Sequence, residues 1–232
     1  MKMVLEKYIQ NLFLWKEKNE KVKNAKEERK LTEAEEKRKK EYEKIKEEML
    51  KKGYEEKDLT VGVVYANVMA IVTAIPIIIL FFLLYCMTDY PFHNFDNYLI
   101  RIIFVACFLA SIVIHELIHG FFWGIFAEGH FQSIKFGFIA KYCTPYCTCK
   151  SPLNKYQYIT GCIMPTIILG ILPCIISLFN GQSMLLYFGF LMILAGGADL
   201  LIVYKVLFNK SEKKEVLYLD HPYDLGTMKF EK

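Results

Sequence analysis

The sequence predicts an all-α polytopic membrane protein with about four transmembrane helices, a charged N-terminal cytoplasmic helix and one small β-hairpin-like loop. Its 232 residues are 54% hydrophobic and have a mean hydropathy of +0.23, which exceeds the usual value for a soluble domain of this size. Charge is unevenly distributed, because residues 1–60 hold 18 of the 29 Lys and Arg and 15 of the 25 Asp and Glu. An apolar body with its charge collected at one end indicates a protein solvated by lipid.

Four apolar segments account for the predicted spans, near residues 61–87, 98–126, 159–180 and 183–208. Each segment can cross a hydrocarbon core of about 30 Å as a helix. Charged residues are few in the apolar tracts: 61–126 contains only Asp89, Asp96, Arg101 and Glu116, and 159–204 contains only Asp199. The chain therefore divides into a charged region at 1–58, a membrane domain at 59–208 and a tail at 209–232.

The basic residues of the connections predict the orientation. The connections at 88–97 and 180–182 contain no Lys or Arg, whereas the loop at 127–158 contains Lys135, Lys141, Lys150 and Lys155. Because cytoplasmic loops carry an excess of basic residues, this loop and both termini are expected to be cytoplasmic. A long charged stretch precedes the first apolar run, so we expect no signal peptide.

Residues 1–52 have a different character from the rest of the chain. Apolar residues recur at helical spacing within 4–13, which suits a short helix on the membrane surface or against a partner; a core-facing stripe is the alternative. Thr32 and Glu35 are spaced as the capping box of a highly charged helix at 33–50, expected to be solvated, with a coiled coil as the alternative. Near-balanced charge argues against nucleic acid and favours a protein partner.

A strand-like pattern follows the second apolar segment. In the stretch Gln132 to Phe138, apolar and polar or small residues alternate, with Ile134, Phe136 and Phe138 on one side of the pattern and Ser133, Lys135 and Gly137 on the other. A period of two is typical of a strand, so we predict a strand or hairpin at the membrane face.

The second apolar segment contains the HExxH sequence, with His115 and His119 as its histidines and Glu116 as its glutamate. A spacing of four places both imidazoles on one face of a helix, where they can share a tetrahedral metal ion, and the glutamate can activate a water molecule. Ionisable groups are costly at such depth in a membrane, so three within five residues predict a functional site. The alternative is that they only form hydrogen bonds between helices.

A catalytic zinc site needs a third protein ligand, for which Asp199 is the best candidate. His115 lies 17 residues after Tyr98 and Asp199 lies 16 after Ser183, so the two residues reach a similar depth in spans of the same direction. Glycines beside both residues, Gly120, Gly196 and Gly197, would allow the two helices to approach closely. The alternative is an aspartate near the membrane face paired with lysine or solvent, with Glu128 and His130 as fallback ligands.

Three further features have polar chemistry. Asn67 in the first span could hydrogen-bond the site, a substrate or a neighbouring helix. The loop cysteines Cys143, Cys147 and Cys149 could bind a second metal ion, although reduced thiols are the simpler interpretation. The segment Asp220-His221-Pro222 could fold over the mouth of the site or dock on the surface without a catalytic role.

These residues resemble those of a bacterial membrane family of unknown function described as zincin peptidases, and the chain is more distantly similar to the site-2 proteases. The resemblance runs from about Gly53 onward, through Gly53-Tyr54, Asp58-Leu59-Thr60, Ala66-Asn67, His115 to Gly120, Thr144 to Lys150, Gly197 to Leu200, Asp220-His221-Pro222 and Gly226. It implies His115, His119 and Asp199 as Zn²⁺ ligands and Glu116 as general base. It departs from the site-2 proteases where two glycines and an alanine precede Asp199, in place of a following glycine.

The sequence thus predicts a zinc metalloendopeptidase of the bacterial cytoplasmic membrane that cleaves peptide bonds in or beside the bilayer. Its expected partners are membrane lipid and a peptide or membrane-protein substrate. The main alternative is a non-enzymatic membrane zinc-binding protein, such as a sensor or a transporter component. An inactive scaffold acting through the N-terminal helix is a further alternative.

Overall fold

The computed structural model describes residues 31–92, 97–139 and 144–232. The predicted helix at 4–13 lies outside these ranges, as does Cys143. The described elements in chain order are α1 (Glu33–Lys51), β1 (Glu55–Asp58), α2 (Val63–Cys86), α3 (Tyr98–Phe126), a 3₁₀ turn (His130–Ser133), β2 (Ile134–Ile139), β3 (Thr144–Cys149), β4 (Leu153–Asn154), α4 (Lys155–Pro165), a π-helical segment (Thr166–Ile171), α5 (Leu172–Asn180), α6 (Ser183–Ala195), α7 (Gly197–Phe208), β5 (Val216–Asp220) and β6 (Thr227–Glu231).

Three helical stretches of the described chain are long and apolar enough to cross a membrane: α2, α3 and the continuous stretch at Lys155–Asn180. A fourth span exists if α6 and α7 are counted together, because they pass the same test as a pair bent by 54°. The structure therefore has three to four candidate membrane helices, where the sequence predicted about four. The expectation of one unbroken helix at 183–208 was wrong.

The break falls at Gly196 and Gly197, which are adjacent residues of the lowest helix propensity after proline. Both glycines are also sites of close packing. A Cβ at Gly196 would meet the Thr166 side chain, and a Cβ at Gly197 would meet the backbone of Ala70. The two helices can therefore bend here and pack closely against α2 and the π-helical segment.

The sequence predicted an all-α fold, and this prediction was wrong. The protein contains a four-stranded antiparallel sheet in addition to the expected β2–β3 hairpin. The strand order is β1-β6-β5-β4, with Glu55 paired to Glu231 and Leu153 paired to Tyr218. The sheet takes strands from the charged region, the membrane domain and the tail. Strands β1, β4 and β5 are two to five residues long and carry little periodic signal, whereas β6 alternates polar and apolar residues over Thr227–Glu231, a signal that the sequence analysis missed.

The sequence predicted that helix α1 is solvated, but the helix packs against this sheet. Its capping box is confirmed, since the Glu35 N–H donates to Thr32 Oγ1 and the Thr32 N–H donates to Glu35 Oε2. Tyr42 and Met49 are buried in a cluster with three residues of the sheet, Leu219, Met228 and Phe230. The apolar residues of α1 are few but share one helical face, and that face is the docked one.

The helix α1 and both sheets lie at the same end of the membrane helices. Strand β1 leads into α2, the hairpin follows α3, β4 leads into α4, and β5 follows α7. A hydrophobic cluster joins the two regions, with Trp123 and Val206 from the helices, Cys147 from the hairpin and Tyr218 from the sheet. The described chain is therefore a membrane bundle with one folded cap.

Candidate metal centre

Helix α3 presents its two histidines to the protein and its apolar residues to the surroundings. The side chains of His115 and His119 are only 9% and 5% exposed. Val113 and Leu117, on other faces of the same turns, are more than half exposed. The spacing of four therefore places both imidazoles on the inner face, as predicted.

Asp199 lies in the first turn of α7 and reaches both histidines. Its Oδ2 atom is 3.0 Å from His115 Nε2 and 3.5 Å from His119 Nε2, and the two Nε2 atoms are 3.1 Å apart. Zinc bound tetrahedrally at about 2.0–2.1 Å from each ligand sets neighbouring ligand atoms about 3.3 Å apart. The three atoms are therefore spaced for one zinc ion. Within the described ranges, no other group of three His, Cys, Asp or Glu is spaced for a metal ion.

The hydrogen bonds of His119 define which of its nitrogens faces this point. Its Nδ1 lies 2.8 Å from the carbonyl oxygen of Gly161. A carbonyl only accepts, so we assign the hydrogen to Nδ1, which leaves a lone pair on Nε2. Metal-binding histidines commonly donate their second N–H to a carbonyl or carboxylate in this way.

The three converging atoms are all electron-rich, and hydrogen bonds among themselves cannot satisfy all of them. His115 Nδ1 is buried and without a hydrogen-bond partner among the described residues, so Nε2 is the nitrogen that contacts polar groups. One proton can bridge only one of the three atom pairs, whereas a divalent cation attracts two imidazole lone pairs and a carboxylate together. The donor set therefore fits Zn²⁺ in chemistry as well as in spacing.

Glu116 is half-buried and does not join the three converging atoms. The backbone N–H of Cys147 on β3 lies close enough to its carboxylate to interact with it electrostatically. The hairpin thus packs against the helix that carries the HExxH sequence. Its Phe136 ring occupies the space where a Cβ of Gly120 would lie.

This packing corrects the predicted role of the glycines. Gly120 packs closely against the hairpin, Gly197 against α2 and Gly196 against Thr166. These glycines therefore do not form a direct contact between α3 and α7. Asp199 lies beside His115, as the sequence prediction expected, although the break at Gly196 and Gly197 means that the continuous helix assumed in that prediction does not exist. The close helix contacts that hold it there involve other partners.

The fallback and secondary candidates lie elsewhere. Glu128 and His130 are exposed in the connection after α3, and Asn67 is exposed on α2. Cys147 and Cys149 are buried on β3, and burial raises the pKa of the Cys149 thiol to about 12 and also raises that of Cys147. Both thiols therefore stay protonated at neutral pH, and the structure gives no support for a second metal site on them.

Three aromatic rings extend from His119 towards the sheet, and the sequence analysis did not single them out. Trp123 stacks on His119 with ring centroids 5.0 Å apart, Tyr158 stacks on Trp123 at 5.7 Å, and Tyr218 stacks on Tyr158 at 5.8 Å. The Trp123 Nε1–H donates to the Tyr158 carbonyl oxygen at 3.2 Å. The recurrence of His115, His119 and Trp123 at intervals of four was a visible signal for the first of these rings.

The fold and the cluster define a helical membrane protein with two histidines, an aspartate and a neighbouring glutamate in a zincin-like arrangement. Residues 108–214 match the model of a family described as "Putative zincin peptidase", which supports the family resemblance noted from the sequence. The match covers 107 of the 232 residues and contains all four of these side chains. The predicted similarity to site-2 proteases stays a prediction. No curated protein and no solved structure matches the chain.

Proposed function

We propose that the protein is a zinc-dependent metallopeptidase that hydrolyses peptide bonds in or next to the membrane. The observation that carries this proposal is the triangle of His115 Nε2, His119 Nε2 and Asp199 Oδ2 with sides of 3.0, 3.1 and 3.5 Å. The family match supports the reaction class. His115, His119 and Asp199 would hold the ion and leave one coordination position for water or substrate.

When bound, zinc polarises the scissile carbonyl and supplies a nucleophile at neutral pH. Glu116 is the residue positioned for proton transfer, because its carboxylate follows His115 directly on the same helix and is half-buried. Its Oε atoms would accept a proton from the attacking water and deliver it to the leaving amine. The Cys147 N–H interacts electrostatically with this carboxylate from the hairpin side of the site.

We propose that the substrate binds along the edge of the hairpin. A helical substrate shields the carbonyl that must be attacked, so the segment cleaved would bind as an extended strand. On β3 the N–H groups of Cys147 and Cys149 already face the carboxylates of Glu116 and Asp220. The edge of β2 is therefore the proposed pairing edge. Water would reach the site from the side of the folded cap, which we assign to the cytoplasm of a bacterial plasma membrane.

The decisive variant is Glu116→Gln, because it keeps the shape of the side chain and removes its basicity. Purified parent protein should bind about one zinc per chain, His115→Ala and His119→Ala should lose it, and Glu116→Gln should retain it. New peptide termini in membrane proteomes should appear with the parent and be absent with Glu116→Gln.

The matched control is Glu128→Gln, which makes the same change at an exposed glutamate of the connection after α3. It should leave both zinc content and product peptides unchanged. Bound zinc with identical product peptides from parent and Glu116→Gln would overturn the peptidase mechanism and leave a non-enzymatic zinc protein. Retained zinc affinity in Asp199→Ala would reassign the third ligand.

A further inference from the structure

Asp220 is the last residue of strand β5 and lies beyond the segment that matches the family model. Its carboxylate accepts two hydrogen bonds from different parts of the chain. The Cys149 N–H donates to Oδ2 at 2.9 Å, and the Tyr158 hydroxyl donates to Oδ1 at 2.7 Å. A carboxylate suits this role because its two oxygens can each accept from a separate donor.

The first of these bonds leads to Glu116. Cys149 and Cys147 are two residues apart on β3, so their N–H groups point to the same side of the strand. Asp220 accepts from one of these N–H groups, and the other lies close enough to the Glu116 carboxylate to interact with it electrostatically. Asp220 therefore fixes the outer edge of the strand that contacts the proposed general base.

The second bond leads to His119. Tyr158 is 1% exposed, its ring stacks on Trp123 and its carbonyl accepts the Trp123 Nε1–H. Trp123 in turn stacks on His119. On the same helix as Tyr158, the Gly161 carbonyl accepts the Nδ1–H of His119. Helix α4 therefore orients His119 through both a ring stack and a hydrogen bond.

We infer that Asp220 is a positioning residue that couples the hairpin beside Glu116 to the helix that orients His119. Strand β5 thereby belongs to the support of the metal centre, and the Asp220-His221-Pro222 segment has a role beyond surface docking. The roles of Glu116 and His119 in this inference rest on the proposed function.

The test compares Asp220→Ala with Asp220→Asn in the full chain, on a Trp15→Phe background that leaves Trp123 as the only tryptophan. Asp220→Ala removes both acceptors, so the Trp123 emission of metal-free protein should shift and zinc should bind about 10- to 100-fold more weakly. Asp220→Asn can accept from Cys149 through its oxygen and donate to the Tyr158 hydroxyl through its amide. It should restore the parent emission and zinc affinity to within about threefold.

The control for loss of the sheet alone is Glu231→Ala, because Glu231 lies on the adjacent strand β6 and bonds Lys229 and Ser211 rather than the hairpin or α4. It should lower the thermal midpoint and leave Trp123 emission and zinc affinity unchanged. Parent-like emission and affinity in Asp220→Ala, or equal losses in Glu231→Ala, would overturn the inference. Absence of zinc binding by the parent would instead overturn the proposed function, and the metal-free emission would still report on the Asp220 contacts.

Discussion

Gly161 meets two requirements of the metal centre with one residue. Its carbonyl oxygen accepts the Nδ1–H of His119, which leaves the Nε2 lone pair facing His115 and Asp199. Its missing side chain admits Trp123, since a Cβ at this position would overlap the indole ring. A larger residue would therefore displace the ring that packs on His119 and the carbonyl that orients it.

Gly161→Ala should weaken zinc binding about 10- to 100-fold, the usual cost of disturbing a group that orients a metal ligand. It should also destabilise the protein by about 1–3 kcal/mol through overpacking. Zinc affinity measured by chelator competition and the thermal midpoint test the two effects. Gly62→Ala is the matched control, because a Cβ there meets no atom within 4 Å. Equal behaviour of the two variants would contradict the role of Gly161.

At this scale the sequence predicted that His115, His119 and Asp199 lie together and missed what holds them. His115, Glu116 and His119 form a local pattern with a known chemical meaning, and Asp199 was placed by counting residues along a span that proves to be bent. The bond between His119 and Gly161 joins residues 42 positions apart through a backbone oxygen. Every residue has a backbone carbonyl, so residue type does not show which carbonyl accepts a hydrogen bond, and this partner was not predictable.

Among the elements, the four-stranded sheet depends on one buried carboxylate. Glu231 is 2% exposed on β6, accepts from the fully buried Lys229 at 2.6 Å and from Ser211 at 2.7 Å, and pairs with Lys57 on β1. The hydrogen bonds from Lys229, Lys57 and Ser211 lower the pKa of Glu231 from 4.5 to about 2. The ionised carboxylate therefore stabilises the junction of β1, β5 and β6.

The lowered pKa gives the sheet a defined acid dependence. Because the folded pKa lies below the unfolded one, the contribution of Glu231 is fully present above about pH 4.5 and is lost as pH falls towards about 2. Glu231→Gln should cost about 1.5–3 kcal/mol near pH 7, the range for a hydrogen bond to a charged group. Thermal midpoints of parent and variant should converge across this window. A difference that stayed constant down to pH 2 would contradict the assignment.

The membrane helices were predictable as elements and the sheet was not. The second span begins and ends at the predicted residues, and the first agrees within two residues, because hydropathy marks a membrane helix directly. Strands β1 and β6 pair residues such as Glu55 and Glu231, which are 176 positions apart. Strand β1 consists of four charged residues and could not be recognised alone, whereas β6 alternates polar and apolar residues over Thr227–Glu231 but does not reveal a partner so far away in the sequence.

At the scale of the whole molecule, the folded cap and most of the charged residues that the structure describes lie at the same end of the membrane helices. The folded cap contains α1 and both sheets, and it stands at the end of the helices from which the lysines of the 127–158 loop also emerge. In the part of the chain that the structure describes, the opposite end has the ends of the connection after α2 and the short connection after α5. The bundle is therefore strongly asymmetric across the membrane, which fits the proposed cytoplasmic position of the cap.

Single cysteines test this orientation. Lys214→Cys lies on the cap side and Gln182→Cys lies between α5 and α6, and both positions are exposed. A membrane-impermeant maleimide should label Gln182→Cys in intact cells and Lys214→Cys only in inverted vesicles. Parent protein treated in parallel corrects for its native cysteines. Labelling of both variants from the same side would contradict the topology.

The position of β6 in the sheet also sets an order of assembly. This strand lies between β1 and β5, yet the ribosome makes it after every membrane helix of the described ranges, whereas its neighbour β1 is made before the first of them. During synthesis β1 therefore stays unpaired with β6 until the described membrane helices have been made. A nascent chain that has not reached β6 already contains His115, Glu116, His119 and Asp199, but it lacks the strand that completes the cap.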